Sequence, residues 1–559
     1  MSIVQRTGSI VQRTGSIVQR TGSIVQRTGR AAAVLTLLFI AGWFTASQAQ
    51  TREETLRAVS GGSINSLDPT LLNATRESIA FSMVTYDRLV TFKRKSENGH
   101  LVFDLAHMRG ELAESFTVSP DGLTFTFKLR PGVTFHDGSP VTIDDVKWSL
   151  DRAVLAKSGA APQLSTGSLT KPEQFKVIDD HTFQVTLDKA DQLALGNLAT
   201  PFARIINSKL AKAHATADDP WANDWLKDHD AGGGAYSVER FLPGEQVVLQ
   251  RNDTWKNGED GKPTWFKRVI VQVVPDASTR ASLVERGDAD ISIDLQPNDV
   301  IALEQRGKVK VVSTPQVNAF TFFAFNGKRP PFDNLKVRQA IAAALPYESM
   351  FKAAIYGRGA PLFDGTWTTE PPTATFPQPM PIHTDLALAK KLLTEAGFPN
   401  GFKTTLAFSV GNAATAEPVA ALAKEALASI GIEVEIRKLP DAQLASIATD
   451  KTFDMMTDGS AAYLPSTDYF FRIFFQGQTR WNFGSWDNQE IVTLTQQARF
   501  EPDPVVYARL AKRMIVLAAQ QVPLVMLWQP NQEAVMAKNI EGFTYWFHRQ
   551  IDYRDLRRQ

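Results

Sequence analysis

Four side chains that could do chemistry lie within ten positions of the sequence: His136, Asp137, Asp144 and Asp145. An imidazole with carboxylates can bind a metal ion or exchange protons with a substrate. One histidine beside a turn aspartate, however, falls short of the three or four converging ligands that a metal needs. Thr142 and Asp145 have the spacing of a capping box that begins a helix, where carboxylates are also favoured by the helix dipole. The pattern therefore predicts scaffold and not a site.

Other catalytic signatures are missing from the sequence. It has no H-E-x-x-H, G-x-S-x-G, Walker or EF-hand motif, and its eight histidines are scattered. Gly232, Gly233 and Gly234 lack the Lys-Ser/Thr of a phosphate loop, so they predict a turn before a strand. The absence of cysteine excludes disulfides, thiolate nucleophiles and cysteine-bound metals. We expect no enzyme and no cofactor; the alternative is a secreted hydrolase whose nucleophile and base meet without a local motif.

The strands and helices that would hold these residues can be predicted from the pattern of apolar and polar side chains. Residues 124–129 alternate apolar and polar side chains, which predicts a half-buried strand, and Arg130-Pro-Gly predicts a hairpin into Val133 and Phe135. A helix with one apolar face should follow from about residue 143.

Strands and helices alternate in two separate regions of the sequence. Residues 269–274 and 289–295 are predicted strands with a helix between them that stops at Gly287. Residues 420–431 predict a helix that ends at Gly431 and leads directly into a strand at 432–437. Such order predicts parallel sheet, so the fold class is α/β.

Length and charge limit the architecture and the partners. A chain of 559 residues is too long for one hydrophobic core, which stops growing at about 250–300 residues, so at least two lobes are expected. The 60 basic and 59 acidic side chains offer no broad basic surface, so we expect no nucleic acid partner.

The first 49 residues have the features of an export signal. Residues 2–29 are four copies of SIVQRTG, whose arginines precede the apolar run AAAVLTLLFIAGWF and the small residues Ser47 and Ala49. We interpret residues 1–49 as a repeat-extended, cleaved signal peptide of a periplasmic protein, which without cysteine is no lipoprotein. The alternative is a retained anchor on a tethered sensor.

Several blocks of sequence resemble one family. They are ELAESFTVSPDGLTFTFKLRPGVTFHDGSPVTIDDVKWSL (111–150), NSLDP (65–69), GGGAYSVERFLPGEQVVLQRN (232–252), PDASTRASLVERGDADI (275–291), FNGKRPPFDNLKVRQAIAAAL (325–345) and AKKLLTEAGFPNGF (389–402). With them the chain resembles family 5 extracellular solute-binding proteins, the receptors of ABC importers for peptides, nickel and related solutes. The resemblance extends from about residue 64 to the C-terminal region.

The resemblance implies an α/β, two-lobed periplasmic binding protein fold of type II whose hinged lobes close on a ligand. Lobe one would comprise residues 50–318 and 528–559, with an extra subdomain at about 93–230, and lobe two residues 319–527. It implies a monomer that delivers a peptide or similar small organic solute to permease subunits of the inner membrane and their ATPase. A nickel or metal-chelate receptor is an alternative within the family; unclustered histidines and missing cysteine argue against direct coordination.

The resemblance also suggests where the ligand would bind. In peptide-binding relatives an aspartate of lobe two pairs with the ligand amino group, and the matching position here is Ser466, with Asp468 two residues on. Dipeptide-binding relatives use an arginine for the ligand carboxylate, but residues 408–418 contain none. We therefore expect longer peptides, or uncharged and weakly charged organic solutes, to fit better than a dipeptide.

Further cleft candidates come from a charge-poor aromatic stretch and from the segment after NSLDP. The former suits a wall that covers an amphipathic ligand, although ordinary core is the alternative for its aromatic residues. The latter matches a segment that touches ligand in relatives, whereas Asp68 is expected to stabilise its own turn. The candidates are Tyr463, Trp481, Asn482, Phe483 and Trp486 in the first, and Asn73 and Thr75 in the second.

Overall fold

The computed structural model describes residues 52–72, 74–97, 99–546 and 551–559. Residues 1–49, for which a signal peptide or an anchor is predicted, lie outside the described residues. The elements below all fall within one compact unit, Glu54–Gln559.

The described strands are, in chain order, β1 (Thr55–Ser60), β2 (Val90–Glu97), β3 (His100–Gly110), β4 (Ala113–Val118), β5 (Thr124–Leu129), β6 (Phe175–Asp179), β7 (Thr182–Thr186), β8 (Tyr236–Leu242), β9 (Gln246–Arg251), β10 (Arg268–Val273), β11 (Ile291–Ile293), β12 (Val309–Pro315), β13 (Ala319–Phe325), β14 (Gly359–Pro361), β15 (Lys403–Ser409), β16 (Glu433–Leu439), β17 (Met455–Ala461), β18 (Leu524–Ala537), β19 (Ile540–Glu541), β20 (Thr544–Tyr545) and β21 (Arg557–Arg558).

The α-helices are Arg76–Thr85, Ile143–Leu155, Ala160–Ser165, Ala194–Leu198, Ser208–Ala213, Asn223–Leu226, Ala277–Arg286, Pro297–Arg306, Leu335–Ala344, Tyr347–Ile355, Leu386–Glu395, Ala413–Ala428, Asp441–Thr449, Thr467–Phe474, Gln489–Arg499 and Pro504–Gln521. Short 3-10 helices cover Pro172–Gln174, Pro201–Ala203 and Val410–Asn412.

Twelve of the described strands form one mixed sheet in the order β16-β15-β17-β13-β18-β11-β1-β10-β9-β8, with β12 and β14 also paired to β18. Strand β1 is parallel to β10 and β11, and β15 is parallel to β16 and β17. The parallel sheet predicted from both strand-helix regions is thereby confirmed. Gly287 ends the first of these helices with a φ of 81°, which glycine adopts without steric cost.

The long strand β18 joins the two ends of this sheet. Its first residues pair with β13 and β14, and its last residues pair with β11 and β12. The chain also passes from β12 to β13 through residues 316–318. Two stretches of chain therefore connect the β13–β17 part of the sheet to the β1–β12 part.

The sheet β4-β5-β7-β6 corrects one prediction. Strand β5 pairs with β4 and β7, not with residues 133–135, where the backbone makes only the isolated bridge Thr134–Pro140. The hairpin turn is at Ser119–Gly122, where Gly122 has a φ of 69° and donates its N–H to Ser119. This turn brings β4 back onto β5, whereas Pro131 cannot donate a ladder hydrogen bond.

The helix Ile143–Leu155 begins with the predicted capping box. Asp145 accepts from the Thr142 backbone N–H at 2.9 Å, and through its other oxygen from the Ser208 backbone N–H at 2.9 Å. Asp144 is exposed on the first turn. Both carboxylates therefore belong to the scaffold, as predicted.

His136 and Asp137 also serve the scaffold. The His136 ring contacts Asp230 through Nδ1 at 2.8 Å and the Gly234 carbonyl oxygen through Nε2 at 3.0 Å. Burial acts to lower the pKa of His136, but the Asp230 carboxylate outweighs it and the pKa is raised. Asp137 accepts from Ser139 within its turn at 2.9 Å. Within the described ranges, no three His, Cys, Asp or Glu side chains cluster as metal ligands would.

Asp68 lies at the centre of a buried charge cluster. Arg152 donates to it at 2.6 Å, Arg204 donates to its other oxygen, and Thr70 donates its backbone N–H at 2.8 Å. The last bond confirms that Asp68 stabilises its own turn. Burial acts to raise the pKa of Asp68, but the two guanidinium groups outweigh it and hold the pKa well below its ordinary value. The aspartate therefore remains charged and neutralises part of the positive charge of the two buried guanidinium groups.

Candidate ligand-binding site

Two segments far apart in the sequence face each other and make the candidate site: residues 163–202 and residues 463–501. The Tyr463 ring meets the Phe202 ring edge-on with their centroids 5.1 Å apart. The Tyr469 hydroxyl donates to Gln163 at 3.2 Å. Burial raises the pKa of Tyr469 to about 12, so it remains a neutral donor. These contacts join the short helices after residue 159 to the helix Thr467–Phe474.

An ion pair joins the same two segments at their far end. Arg499 donates through Nε to Asp191 at 2.7 Å, and through Nη2 to the Ser165 carbonyl oxygen at 2.8 Å and to Ser168 Oγ at 2.9 Å. The Asp191 side chain is 0% exposed and that of Arg499 is 21% exposed. Water screens such a pair weakly, so the attraction between its two charges is stronger than in a surface ion pair.

The first cavity at this junction, here called the apolar cavity, has a volume of about 440 Å³. Its wall includes Leu105 and Met108 of β3, the Gln192–Gly196 segment, and Leu464–Ser466 from the facing side. This volume lies in the range of about 300–1,000 Å³ that is typical of small-molecule sites. An apolar wall with few polar groups suits an amphipathic solute or an apolar side chain of a peptide.

Ser466 and Asp468 lie at and behind the wall of the apolar cavity. Ser466 lines it, and its hydroxyl contacts Asp468 and, at 3.0 Å, the Tyr507 hydroxyl. Asp468 is buried and also accepts from Arg472 Nε at 3.2 Å. The Asp468 carboxylate is thus bound to its own helix and to Tyr507, and Ser466 is the polar group of this pair that reaches the wall.

The second cavity, here called the polar cavity, has a volume of about 240 Å³. Trp481 and Phe483 line it together with Asp441, Asp458 and Arg480. The cavity lies between the end of β15, strand β17, the helix Asp441–Thr449 and the loop that follows residue 476. It combines carboxylates, a guanidinium group and an aromatic wall.

Hydrogen bonds fix the two carboxylates of the polar cavity. Asp458 Oδ1 accepts from Asn412 Nδ2 and from the Gly459 backbone N–H, each at 2.8 Å. Burial raises the pKa of Asp458 to about 6, and Asp441 adds to the rise while Arg480 opposes it. Asp441 accepts from Ser409 Oγ and, at 3.0 Å, from the Gly411 backbone N–H.

Asn482 holds the loop between Trp481 and Phe483. It donates to the Gly477 and Trp486 carbonyl oxygens at 2.9 Å each and accepts from the Trp486 backbone N–H at 3.1 Å. The side chain is 2% exposed. Its hydrogen-bonding groups are therefore occupied within the loop, which positions the two aromatic neighbours on the wall of the polar cavity.

Thr75 lies at neither cavity. It is the N-cap of the helix Arg76–Thr85: its hydroxyl accepts from the Ser78 backbone N–H at 3.2 Å and donates to the Ser63 carbonyl oxygen at 2.7 Å. Asn73 lies outside the described residues. Tyr463 is half-buried and adjoins Leu464 at the apolar cavity. Trp486 is buried in the hydrophobic core, the alternative considered for the aromatic stretch.

Several wall residues have no signature in the sequence. They are Leu105, Met108, Asn412, Asp441, Asp458 and Arg480, which lie in five separate stretches of the chain with no shared motif. An isolated ionisable residue within a strand, such as Asp458 in the middle of β17, is the one signal that would have pointed to them.

None of the helices in the described ranges has both the length and the hydropathy needed to traverse a bilayer.

Two relatives from Escherichia coli align over most of their length. A probable D,D-dipeptide-binding periplasmic protein, DdpA of strain K12, is 28% identical over 82% of this chain and 86% of its own. The glutathione-binding protein GsiB of strain O1:K1 / APEC is 28% identical over 91% of this chain and 95% of its own.

Solved structures share the fold. The dipeptide-binding protein of Pseudoalteromonas sp. SM9913, crystallised with Met-Leu, superposes with a TM-score of 0.76 and 24% identity over 90% of this chain and 100% of its own. The α/β, two-lobed periplasmic binding protein fold expected from the sequence is thus confirmed. The model of "Bacterial extracellular solute-binding proteins, family 5 Middle" matches residues 107–482, which is more than half of the chain. The protein therefore belongs to family 5 of the bacterial extracellular solute-binding proteins, a family of transport receptors and not of enzymes.

Proposed function

We propose that the protein is the periplasmic receptor of an ABC importer and captures a peptide or similar small organic solute between two lobes. The observation that carries this proposal is the apolar cavity, whose wall is built from β3 and the Gln192–Gly196 segment on one side and Leu464–Ser466 on the other. A solute there would touch both sides and favour the form in which they meet. The similarity to DdpA, GsiB and the Met-Leu complex supports a peptide-like ligand.

Lobe one comprises residues 50–318 and 528–559, with a subdomain at about 93–230, and lobe two comprises residues 319–527. The two stretches of chain that join the sheet ends, residues 316–318 and strand β18, support these boundaries. Bending at these two stretches would separate residues 163–202 from residues 463–501. The closed form then presents a surface that differs from the open form, and the permease recognises it.

The solute leaves the cleft chemically unchanged, without a cofactor. The receptor acts as a monomer with permease subunits of the inner membrane and their ATPase. Export uses residues 1–49 as a cleaved signal peptide, and no lipid is attached because the chain has no cysteine. N-terminal sequencing of the periplasmic protein should begin at Gln50; an intact N-terminus in the membrane fraction would contradict export by cleavage.

The binding function is tested on the protein purified from the periplasm. Native mass spectrometry should detect a bound small molecule that is released unchanged on denaturation. After the solute is removed by unfolding and refolding, adding it back should raise the melting temperature, because binding stabilises the native state by RT ln(1 + [L]/Kd). Failure to carry or rebind any solute, or release of a chemically altered product, would overturn the proposal.

A further inference from the structure

A group of ion pairs and hydrogen bonds, here called the hinge network, lies where the chain passes between the proposed lobes. Arg358 belongs to lobe two and donates to Glu533 through Nε at 2.8 Å and through Nη2 at 3.1 Å. Its other nitrogen, Nη1, donates to Glu304 at 3.0 Å. Both acidic residues belong to lobe one, so a single guanidinium group joins the two lobes. None of these three residues lines either cavity.

The backbone places Arg358 beside strand β18. The helix Tyr347–Ile355 ends at Tyr356, whose left-handed φ of 55° turns the chain back towards the sheet. Strand β14 then begins at Gly359, which pairs with Pro530 of β18. The pairing therefore holds the Arg358 backbone next to the part of β18 that passes from lobe two into lobe one.

Both stretches of chain that connect the lobes contribute to the hinge network. Glu533 is on β18, and Ser313 is on β12 shortly before residues 316–318. The Ser313 hydroxyl donates to Glu533 at 2.9 Å and accepts from the Asn531 side-chain amide at 2.8 Å. The Arg358 and Glu533 side chains are 19% and 13% exposed, and two parallel bonds make a strong, well-oriented pair. We therefore expect this pair to persist when the hinge bends.

Glu304 differs from Glu533 in position and exposure. It lies in the last turn of the helix Pro297–Arg306, where the helix dipole disfavours a carboxylate, and its side chain is 53% exposed. Bending at the hinge moves this helix relative to Arg358, whereas Glu533 is on the bending strand itself. In this structure the Glu304 contact occurs together with the contact between residues 163–202 and residues 463–501.

We propose that Arg358 is a positioning residue for lobe closure: its pair with Glu533 is a pivot kept in the open and closed forms, whereas its bond to Glu304 forms only on closing. A contact shifts an equilibrium between two forms only when its strength differs between them. The Glu304 contact therefore favours the closed form, and the Glu533 pair stabilises the fold without favouring either form. The inference rests on the proposed receptor function, in which the lobes close on a solute.

Hydrogen exchange of the protein freed of its solute tests this assignment. Glu304→Gln should accelerate exchange in peptides that cover residues 160–170 and 465–500 by about two- to fivefold, the effect of losing an exposed ion pair. These peptides contain no residue of the hinge network, so a purely local role of Glu304 would leave them unchanged. Raising the ionic strength from about 0.1 M to about 1 M should reduce the difference between the variant and the wild type, because salt screens an exposed pair.

Two matched substitutions separate the pivot from the closing contact. Glu533→Gln should lower the melting temperature, because the Arg358 guanidinium group loses a shielded counter-charge, but it should leave exchange in the same peptides unchanged. Glu348→Gln removes an exposed carboxylate that pairs with Lys352 at 2.9 Å within lobe two, so it should change neither measurement.

The outcomes distinguish the closing contact from a local one. Faster exchange in Glu304→Gln that is confined to peptides covering residues 297–306 and 355–361, or the same acceleration in Glu348→Gln, would overturn the closing role. An equal acceleration or an unchanged melting temperature in Glu533→Gln would overturn the pivot. None of these results depends on a bound solute, whereas a protein that carries and rebinds no solute would overturn the receptor function itself. The two failures are therefore distinguishable.

Discussion

Arg499 should hold the two facing segments together, and its removal should separate them without unfolding the protein. Arg499→Met deletes three hydrogen bonds that reach Asp191, Ser165 and Ser168. The Asp191 carboxylate keeps its bonds from Ser168 at 2.7 Å and from the Leu193 N–H at 3.0 Å, so it is not left without donors. Because hydrogen bonds to charged groups contribute about 1.5–3 kcal/mol, we expect a net loss of about 2–3 kcal/mol.

Hydrogen exchange followed by mass spectrometry measures this loss without any ligand. If the segments separate as lobes, amides protected by the contact should exchange about 30- to 150-fold faster in Arg499→Met, the factor that corresponds to 2–3 kcal/mol. The increase should be confined to peptides that cover residues 160–170 and 465–500. Exchange in the paired strands β15 and β16 should not change.

The matched control is Arg513→Met, since Arg513 pairs with Glu490 on the surface of the same region, with both side chains 45% exposed. Such a pair contributes about 0–1 kcal/mol, so exchange should remain as in the wild type. Unchanged exchange in Arg499→Met would refute the role of this contact. A rise of equal size throughout the chain would mean that Arg499 supports global stability and not the junction of two lobes.

Three further substitutions test the buried carboxylates and the apolar cavity. Asp458→Asn should raise the free energy of unfolding by about 1–3 kcal/mol at about pH 7.5, because the pKa of Asp458 is raised to about 6 and its ionisation destabilises the fold as pH rises from about 4 to 6. In urea titrations this gain in stability should disappear near pH 3, and a variant that is less stable than the wild type at pH 7.5 would contradict the prediction. Asp68→Asn should cost about 3–5 kcal/mol in urea unfolding, because two buried cations lose their counter-charge, whereas Asp144→Asn on the surface should cost about 0.5 kcal/mol or less; equal midpoints would refute the buried cluster. Leu105→Glu should weaken capture of the solute by tenfold or more, because Leu105 lines the apolar cavity, whereas Leu101→Glu on the same strand should not, although Leu101 is 38% exposed and Leu105 is 40% exposed. Native mass spectrometry measures both variants, and equal losses would contradict the cavity as the binding site.

The parts of the fold that could be predicted depend on neighbours close in the sequence. Asp145 caps its helix from three residues after Thr142, and Gly287 ends a helix because it adopts a positive φ, so both are visible in a short window. The prediction that β5 forms a hairpin with residues 133–135 is wrong, because a turn sequence lies on each side of β5. Choosing between Arg130-Pro-Gly and the turn at Ser119–Gly122 requires knowledge of which strand pairs with β5.

The candidate site could be predicted only in part, because its walls come from distant segments. The composition of one aromatic stretch predicts Trp481 and Phe483 as wall residues, and both do line a cavity, but Asp458 in the same wall is more than 20 residues away in the sequence. The need of a buried amide for hydrogen-bond partners predicts Asn482 as a cleft residue, but the structure provides these partners as carbonyl groups of its own loop. Local composition identifies the stretch, whereas only the fold shows which side chains face the same space.

The distance between the proposed lobes, measured with and without solute, tests lobe closure most directly. Because the chain has no cysteine, one cysteine introduced at the exposed Glu114 and one at the exposed Glu425 would be the only labelling sites for a pair of spin labels. Closure of two lobes on the solute should give a broad or long distance distribution in the stripped protein, which becomes narrower and shorter when the solute from the periplasmic preparation is added back. A distribution that stays the same while the solute binds would contradict closure of two lobes on a captured ligand.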